Sequence, residues 1–599
     1  MRKNNLTSWN YTASLECLLF FAQRMDELLF HHTTDTYRYA ALSVRGLAAE
    51  YCTVYHDVKA GTLSKKNLSH IIDEFSYRIK CDDVARSILT NEYVDRFIKC
   101  YRNWDMKVQY ENMQYAGRKL SNRTYYNCLV NRLKELIAEN KQKKEIDEKT
   151  SLFVKELLDC GYNANYVYQV LHEVFFHQAV SSLNSLDNFF GQFDFSKKKY
   201  DVYIGYSNDM ASLFPLFKKI VISDLNVSML NLNSVPTGIK TKRQKTILKF
   251  EGVESYDTYS AFELVNSISS CVVNSYSFFR HEPNAVHTYG QVIDENGIII
   301  TIRPQKLLKN SVSVLSRQDA TQNAESLIKI IFANYANLSD FIKVTNVHNS
   351  AIYSENTSES LLSLWSILES IVDDEEVYTE NLKSDGSNLE KERSKIGNII
   401  SYTLPYLKST YIKKLVQTCM LDIMRWDLDF FDTHIANNGF GNNDLEHTFA
   451  FLTFQSMEST RQELYSKTEK FPLLRYRVCT LSDQLHNSKG IKAALKNHIQ
   501  RITWHLHRIY RARNYIVHDA TENEQLNQEL LINLHSYVDT LFLKAIELID
   551  TSPYNDSIHD ALVGHKLTVQ IMDEILENKS NEDITAENAL RYLYYDFEK

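Results

Sequence analysis

Three arginines, an asparagine and a histidine stand close together in RIYRARNYIVHDA, residues 508–520. Between Gln484 and His518 there is no Asp or Glu, although acids outnumber bases in the whole chain by 75 to 67. Lys489, Lys492, Lys496, Arg501, Arg508, Arg511 and Arg513 fall in that interval, so the local field is positive and unscreened by sequence neighbours, a pattern that suits a polyanion. His507, Arg511, Asn514 and His518 follow one another at steps of four, three and four and so line one face of a helix. An imidazole that exchanges a proton near neutral pH, beside guanidinium groups that clamp a phosphate, is sufficient equipment for metal-free RNA cleavage with the ribose 2′-hydroxyl as nucleophile. The alternative for the same residues is a histidine that merely caps a helix end.

The element that positions them is a long helix. Ile491, Leu495, Ile499, Ile502, Leu506 and Ile509 form its apolar stripe. Continued regularly, the stripe reaches Arg513, between Ile509 and Val517, where a charge must be paired or serve a site. Downstream, Thr521 and Glu524 form a capping-box pair that starts a new helix, which puts His518 in the last turn before a break. The C-terminal end of the first helix favours the imidazolium form of His518, and the N-terminus of the next offers unpaired N–H groups to an anion.

RARNYIVH resembles the signature of the HEPN superfamily, in which an Arg and a polar residue precede a His by a few positions. Together with the upstream LLSLWSILESIV and the downstream segment 527–550, it looks like the Apea-like branch, and the resemblance covers roughly residues 320–550. It implies a helical bundle that dimerises to form one composite cleft, and a metal-independent endoribonuclease (a hydrolase) used in toxin, abortive-infection or antiviral defence systems. By position, Arg513 matches the motif Arg, Asn514 the polar residue and His518 the general acid/base. Arg511 also satisfies the loose pattern; Arg513 is preferred because it adjoins Asn514. Glu369, in LWSILES, is the candidate acid that pairs with and orients the motif Arg, its alternative being an exposed helix acid. Arg508, His507, Lys496 and Lys492 are further candidates for RNA contact.

The rest of the chain is read as mainly α. Of 599 residues, 44% are hydrophobic and 24% charged, ordinary globular values that exclude a disordered chain. No proline precedes Pro215, and apolar residues recur at helical steps, so residues 1–195 are expected to be an all-helical domain. Short β-branched and aromatic runs then begin, and QVIDENGIIITI places Asp294–Gly297 as a turn between two strands; residues 196–312 read as a small α+β domain. Residues 313–552 are the expected HEPN-type helical bundle, and 553–599 a helical C-terminal tail.

Other motifs fail. His172 and His177 are five apart, whereas one zinc on a helix needs a spacing of four. NNGFGNND lacks the strand and Lys-Ser/Thr of a phosphate loop. The basic cluster Lys240, Lys242, Arg243, Lys245 and Lys249 suits a solvated face better than a phosphate grip. Nine scattered cysteines without a CxxC pair indicate core thiols in a reducing compartment. The N-terminal apolar run is broken by Glu16 and followed by Arg24, Asp26 and Glu27, which reads as an amphipathic helix and not a signal peptide. With no apolar segment of about 20 residues, the expectation is a cytoplasmic protein that does not engage the membrane. It is expected to act as an RNase effector without cofactor or metal, as a homo-oligomer. Its N-terminal domains would sense a phage-derived or nucleic-acid trigger, or otherwise regulate the nuclease. The competing expectation is a non-catalytic scaffold that grips RNA or a partner.

Overall fold

The computed structural model describes residues 6–30, 37–38, 40–207, 210, 213–218, 225–230, 235–240, 244–280, 287–302, 321, 324–325, 328–329, 338–354, 356–371, 388–519, 524–551, 558–579 and 581–599. The protein is mostly helical with one small antiparallel sheet. It divides into two compact units: residues 11–152 with 306–599, and residues 6–10 with 153–305. The expected boundary near residue 195 therefore falls inside the second unit.

The second unit is built on five strands, β1 (Lys198–Tyr206), β2 (Asn226–Leu230), β3 (Thr246–Ser255), β4 (His287–Ile293) and β5 (Ile299–Ile302), in the order β2-β3-β1-β4-β5 and antiparallel throughout. Alternation along β1 sends Tyr200, Val202, Ile204 and Tyr206 to one face, where they pack with Phe262 and Val265 of the helix Thr258–Arg280. Gly290 of β4 lies under that helix, and a Cβ there would come within 2.1 Å of the Phe262 ring. The β4–β5 turn is closed by Asp294, whose Oδ1 accepts from the backbone N–H of Asn296 and Ile298, with Gly297 at φ +78°.

Residues 153–195 join this unit because a buried carboxylate ties them to it. Asp257, just before the helix Thr258–Arg280, accepts from the backbone N–H of Asn163 at 2.8 Å and of Ser260 at 2.8 Å. Within the same unit Phe153, Phe175, Phe189 and Phe193 pack ring against ring. A π turn, Glu173–His177, brings the His172 and His177 rings to 6.1 Å despite their five-residue spacing. Of the basic cluster, Lys249 pairs with Asp201 and Glu251; Lys242 and Arg243 lie outside the described residues.

The first unit is all helix among the described residues. Its N-terminal helix, Glu16–Leu29, forms where a helix was expected, but it is buried from Cys17 to Leu29, so its charged residues are enclosed in the core and not on a polar outer face. Arg24 pairs with Glu27 and Asp147, and Glu27 with Arg477, whose other partner is Asp422. The C-terminal part holds two apolar cores. One gathers residues of Thr357–Ile371, Asn388–Ser409, the second half of Ser488–Asn514 and Glu524–Thr551; the other gathers Tyr411–Trp426, Pro472–Leu485 and the first half of Ser488–Asn514. The segment read as a tail is part of both. Leu562 of the helix Ile558–Asn578 belongs to the first core, while Val569, Met572 and Leu576 belong to the second with Tyr592 and Leu593. No described helix is long and apolar enough to cross a membrane.

Candidate functional site

The motif helix, Ser488–Asn514, starts at Asn487, whose side chain accepts from the backbone N–H of Gly490. Its stripe is anchored in both cores, by Ile491 and Leu495 in one and by Ile502, Leu506 and Ile509 in the other. The α-helix ends at Asn514 and passes into a π turn, Tyr515–Asp519. Such widened turns leave backbone groups out of regular pairing and occur often at functional sites. His518 lies in this turn; its side chain, and the cap residue Thr521, lie outside the described residues.

The three arginines of the motif do different things. Arg508 is 2% exposed and bridges two N-terminal helices: its Nη2 donates to Glu50 Oε2 at 3.0 Å, on Val44–Ala60, and to Glu74 Oε2 at 2.7 Å, on Lys66–Cys81. Arg511, also buried, donates from Nη2 to Glu50 Oε1 at 2.8 Å, and its Nε and Nη1 have no hydrogen-bond partner among the described residues. Burial alone would raise the pKa of Glu50, but the guanidiniums of Arg508 and Arg511 outweigh it and hold the carboxyl down at about 2. The same face of the motif helix carries His507, stacked on His70 of Lys66–Cys81 with ring centroids 3.5 Å apart. Burial, His70 and Arg511 push His507 down to about 3, and burial and Arg511 push His70 down to about 4. Tyr515 donates its hydroxyl to Asp57 Oδ2.

Arg513 points elsewhere. Its side chain is 25% exposed; Nη1 donates to Asn514 Oδ1 at 3.2 Å and Nη2 lies 3.7 Å from Glu369 Oε1. Glu369 in turn accepts from the indole Nε1 of Trp365 at 2.9 Å, one turn back on the helix Thr357–Ile371. Trp365 is fully buried, so the carboxylate is held in place from the core side and presents a fixed anionic partner to Arg513. The structure thus brings together Arg513, Asn514 and Glu369 beside the turn that carries His518. Lys492 is paired with Glu577, and Lys496 is exposed on the helix surface.

The acid-free interval of the sequence is consequently not a bare positive field. Glu50, Glu74, Glu369 and Glu577 come to it from distant parts of the chain. Arg508 and Arg511 are engaged internally, while the Arg513 side chain stays partly exposed.

A second cluster has no counterpart among the sequence candidates. His348 of Leu338–Tyr353 meets His535 and Asp539 of Glu524–Thr551, and their donor atoms lie within 4.8 Å of one another. The spacing of His535 and Asp539 is visible in the sequence, whereas their partner is 191 positions from Asp539.

No protein-family model matches the chain, and neither a curated protein nor a solved structure matches it.

Proposed function

We propose that the protein is a metal-independent endoribonuclease of the HEPN type, acting in the cytoplasm as a toxin or anti-phage effector. The observation that carries the proposal is the Arg513–Glu369 pair beside Asn514, at the mouth of the turn that contains His518. In this reading Arg513 binds the scissile phosphate and His518 takes the proton of the ribose 2′-hydroxyl. The 2′-oxygen attacks phosphorus, the bond to the 5′-oxygen breaks, and that oxygen leaves with a proton, giving a 2′,3′-cyclic phosphate and a 5′-hydroxyl. Two copies of the motif helix, one from each protomer, would supply the paired groups of one cleft.

The N-terminal helices Val44–Ala60 and Lys66–Cys81 supply the regulatory surface. They cover the Arg508 and Arg511 face with carboxylates, so a trigger that displaces both helices, and with them Glu50 and Glu74, would expose two more guanidiniums to a polyanion. A chain beginning near residue 315 lacks both Glu50 and Glu74 and strips Arg508 of its partners and its cover, so regulation is tested by substitution in the intact chain.

The internal neutralisation of Arg508 and Arg511 also favours a second reading, a non-catalytic scaffold whose motif helix grips RNA or a partner through Arg513 alone. Total cellular RNA incubated with the purified protein in EDTA separates the two. Cutting that leaves cyclic phosphate ends and disappears in Arg513→Ala and His518→Ala supports the nuclease. RNA binding without cutting, kept in His518→Gln, supports the scaffold.

A further inference from the structure

We propose that His348, His535 and Asp539 form a binding site for a divalent first-row transition-metal ion of the zinc class, with three protein ligands and a fourth position left to solvent. His535 and Asp539 are separated by one helical turn on Glu524–Thr551, so both side chains leave the same face of that helix. His348 reaches the same point from Leu338–Tyr353. Its Nε2 lies 2.8 Å from Asp539 Oδ1, and His535 Nδ1 lies 3.3 Å from Asp539 Oδ2. The two rings are 5.0 Å apart at 32°.

These separations are near what an ion requires. Ligand bonds of about 2.0–2.1 Å in a tetrahedral arrangement put neighbouring donor atoms about 3.3 Å apart, close to the two separations from Asp539, and all three donors lie within 4.8 Å of one another. The donor set decides the class. Two imidazoles and one carboxylate suit zinc, cobalt, nickel or ferrous iron, whereas calcium and magnesium demand oxygen ligands. Access is graded in the way a three-ligand site needs: the His535 side chain is 4% exposed, while those of His348 and Asp539 are 27% and 30% exposed. A buried imidazole thus fixes one ligand, and the partly open side leaves a route for the ion and room for a water. The Nε2 of His535 has no hydrogen-bond partner among the described residues, so the polar contact of this buried ring is the one with Asp539.

A bound ion has a structural consequence. The two helices it joins both pack on Thr357–Ile371, the helix that holds Trp365 and Glu369. The metal therefore clamps the frame around that helix from two sides.

The test is metal uptake by the full-length protein after chelator stripping, a readout that does not depend on RNA cleavage. Dialysis against Zn²⁺ is expected to leave one ion per chain, and Co²⁺ to give the intense visible absorption of a four-coordinate site. His348→Ala, at the more open ligand, and Asp539→Asn are each expected to weaken Zn²⁺ binding about tenfold or more. Zn²⁺ should raise the thermal midpoint of the wild type but not of the variants. Circular dichroism of the metal-free forms shows whether the variants fold, and the Co²⁺ spectrum of the wild type stands if they do not. No uptake by the wild type, a six-coordinate Co²⁺ spectrum, or uptake retained by folded variants overturns the proposal.

Discussion

The imidazoles of His70 and His507 stack with centroids 3.5 Å apart and planes 20° from parallel, and both have pKa values pushed far below the ordinary histidine range. Arg511 faces both rings, and Asp73 and Lys66 lie near His70. In the unfolded chain each imidazole takes up a proton below about pH 6.5; in the folded chain they stay neutral until about 4 and 3. The unfolded state therefore binds more protons over that window, and the stability contributed by the pair is complete above pH 6.5 and declines as pH falls. Urea unfolding between pH 7 and pH 4.5 is expected to show this loss, on the order of 1 kcal/mol or more per imidazole. His507→Phe, which keeps a ring against His70, should flatten the slope; an unchanged slope would show that the stack does not carry the effect.

Glu50 offers a contrast with Glu369. Replacing Glu50 by Gln leaves two buried guanidiniums short of a counter-charge, which is expected to destabilise the protein by about 3–5 kcal/mol. Glu369→Gln disturbs a partly exposed pair and is expected to lower stability by about 1 kcal/mol or less. Denaturant midpoints of the two variants, at constant m-value, check the difference.

The two candidate motif arginines separate by the same logic. Arg511→Ala is expected to act on folding, because it strips a buried partner from Glu50. Arg513→Ala is expected to leave the midpoint within about 1 kcal/mol of wild type and to reduce RNA cleavage by roughly 10²–10⁴. Cleavage at the wild-type rate by folded Arg513→Ala would remove Arg513 from the site.

In the sheet unit, Gly290→Ala drives a methyl into the Phe262 ring and is expected to destabilise by about 1–3 kcal/mol. Gly297→Ala meets no atom within 4 Å but sits at φ +78°, so its expected penalty is about 1 kcal/mol and backbone in origin. Adding Phe262→Ala should relieve the first variant and leave the second unrelieved, which a double-mutant cycle measures.

Local physics was readable in the sequence. The 3.6-residue stripe of Ile491, Leu495, Ile502 and Leu506 announces the motif helix because each side chain answers to a neighbour one turn away. Asp294 and Gly297 announce the β4–β5 turn because their chemistry acts within a few residues. The pairing of Glu369 with Arg513 was suggested by the family resemblance alone, since nothing in the local sequence separates a paired acid from an exposed one. What acts at long range was not readable. Arg508 finds Glu50 and Glu74 at separations of 458 and 434 residues, and no periodicity encodes that choice. The same limit hid the burial of Glu16–Leu29, whose charges look solvent-facing until Arg477 is placed beside them, and it hid the place of residues 153–195 in the second unit. Helical periodicity carries no mark where one compact unit gives way to another.

The separation between Glu50 and Arg508 also fixes an order of events during synthesis. Residues 153–305 of the sheet unit are contiguous, so they can fold while the ribosome is still translating the C-terminal half of the chain. The helical unit cannot, because its second half is made last. At about 5–20 residues per second, roughly 20–90 s pass between the synthesis of Glu50 and that of Arg508. Throughout that interval Glu50 has neither Arg508 nor Arg511 to meet, and the motif helix does not exist. Under the proposed activity, a nascent chain is therefore harmless to the RNA that surrounds it, and the nuclease site and its acidic cover are completed together.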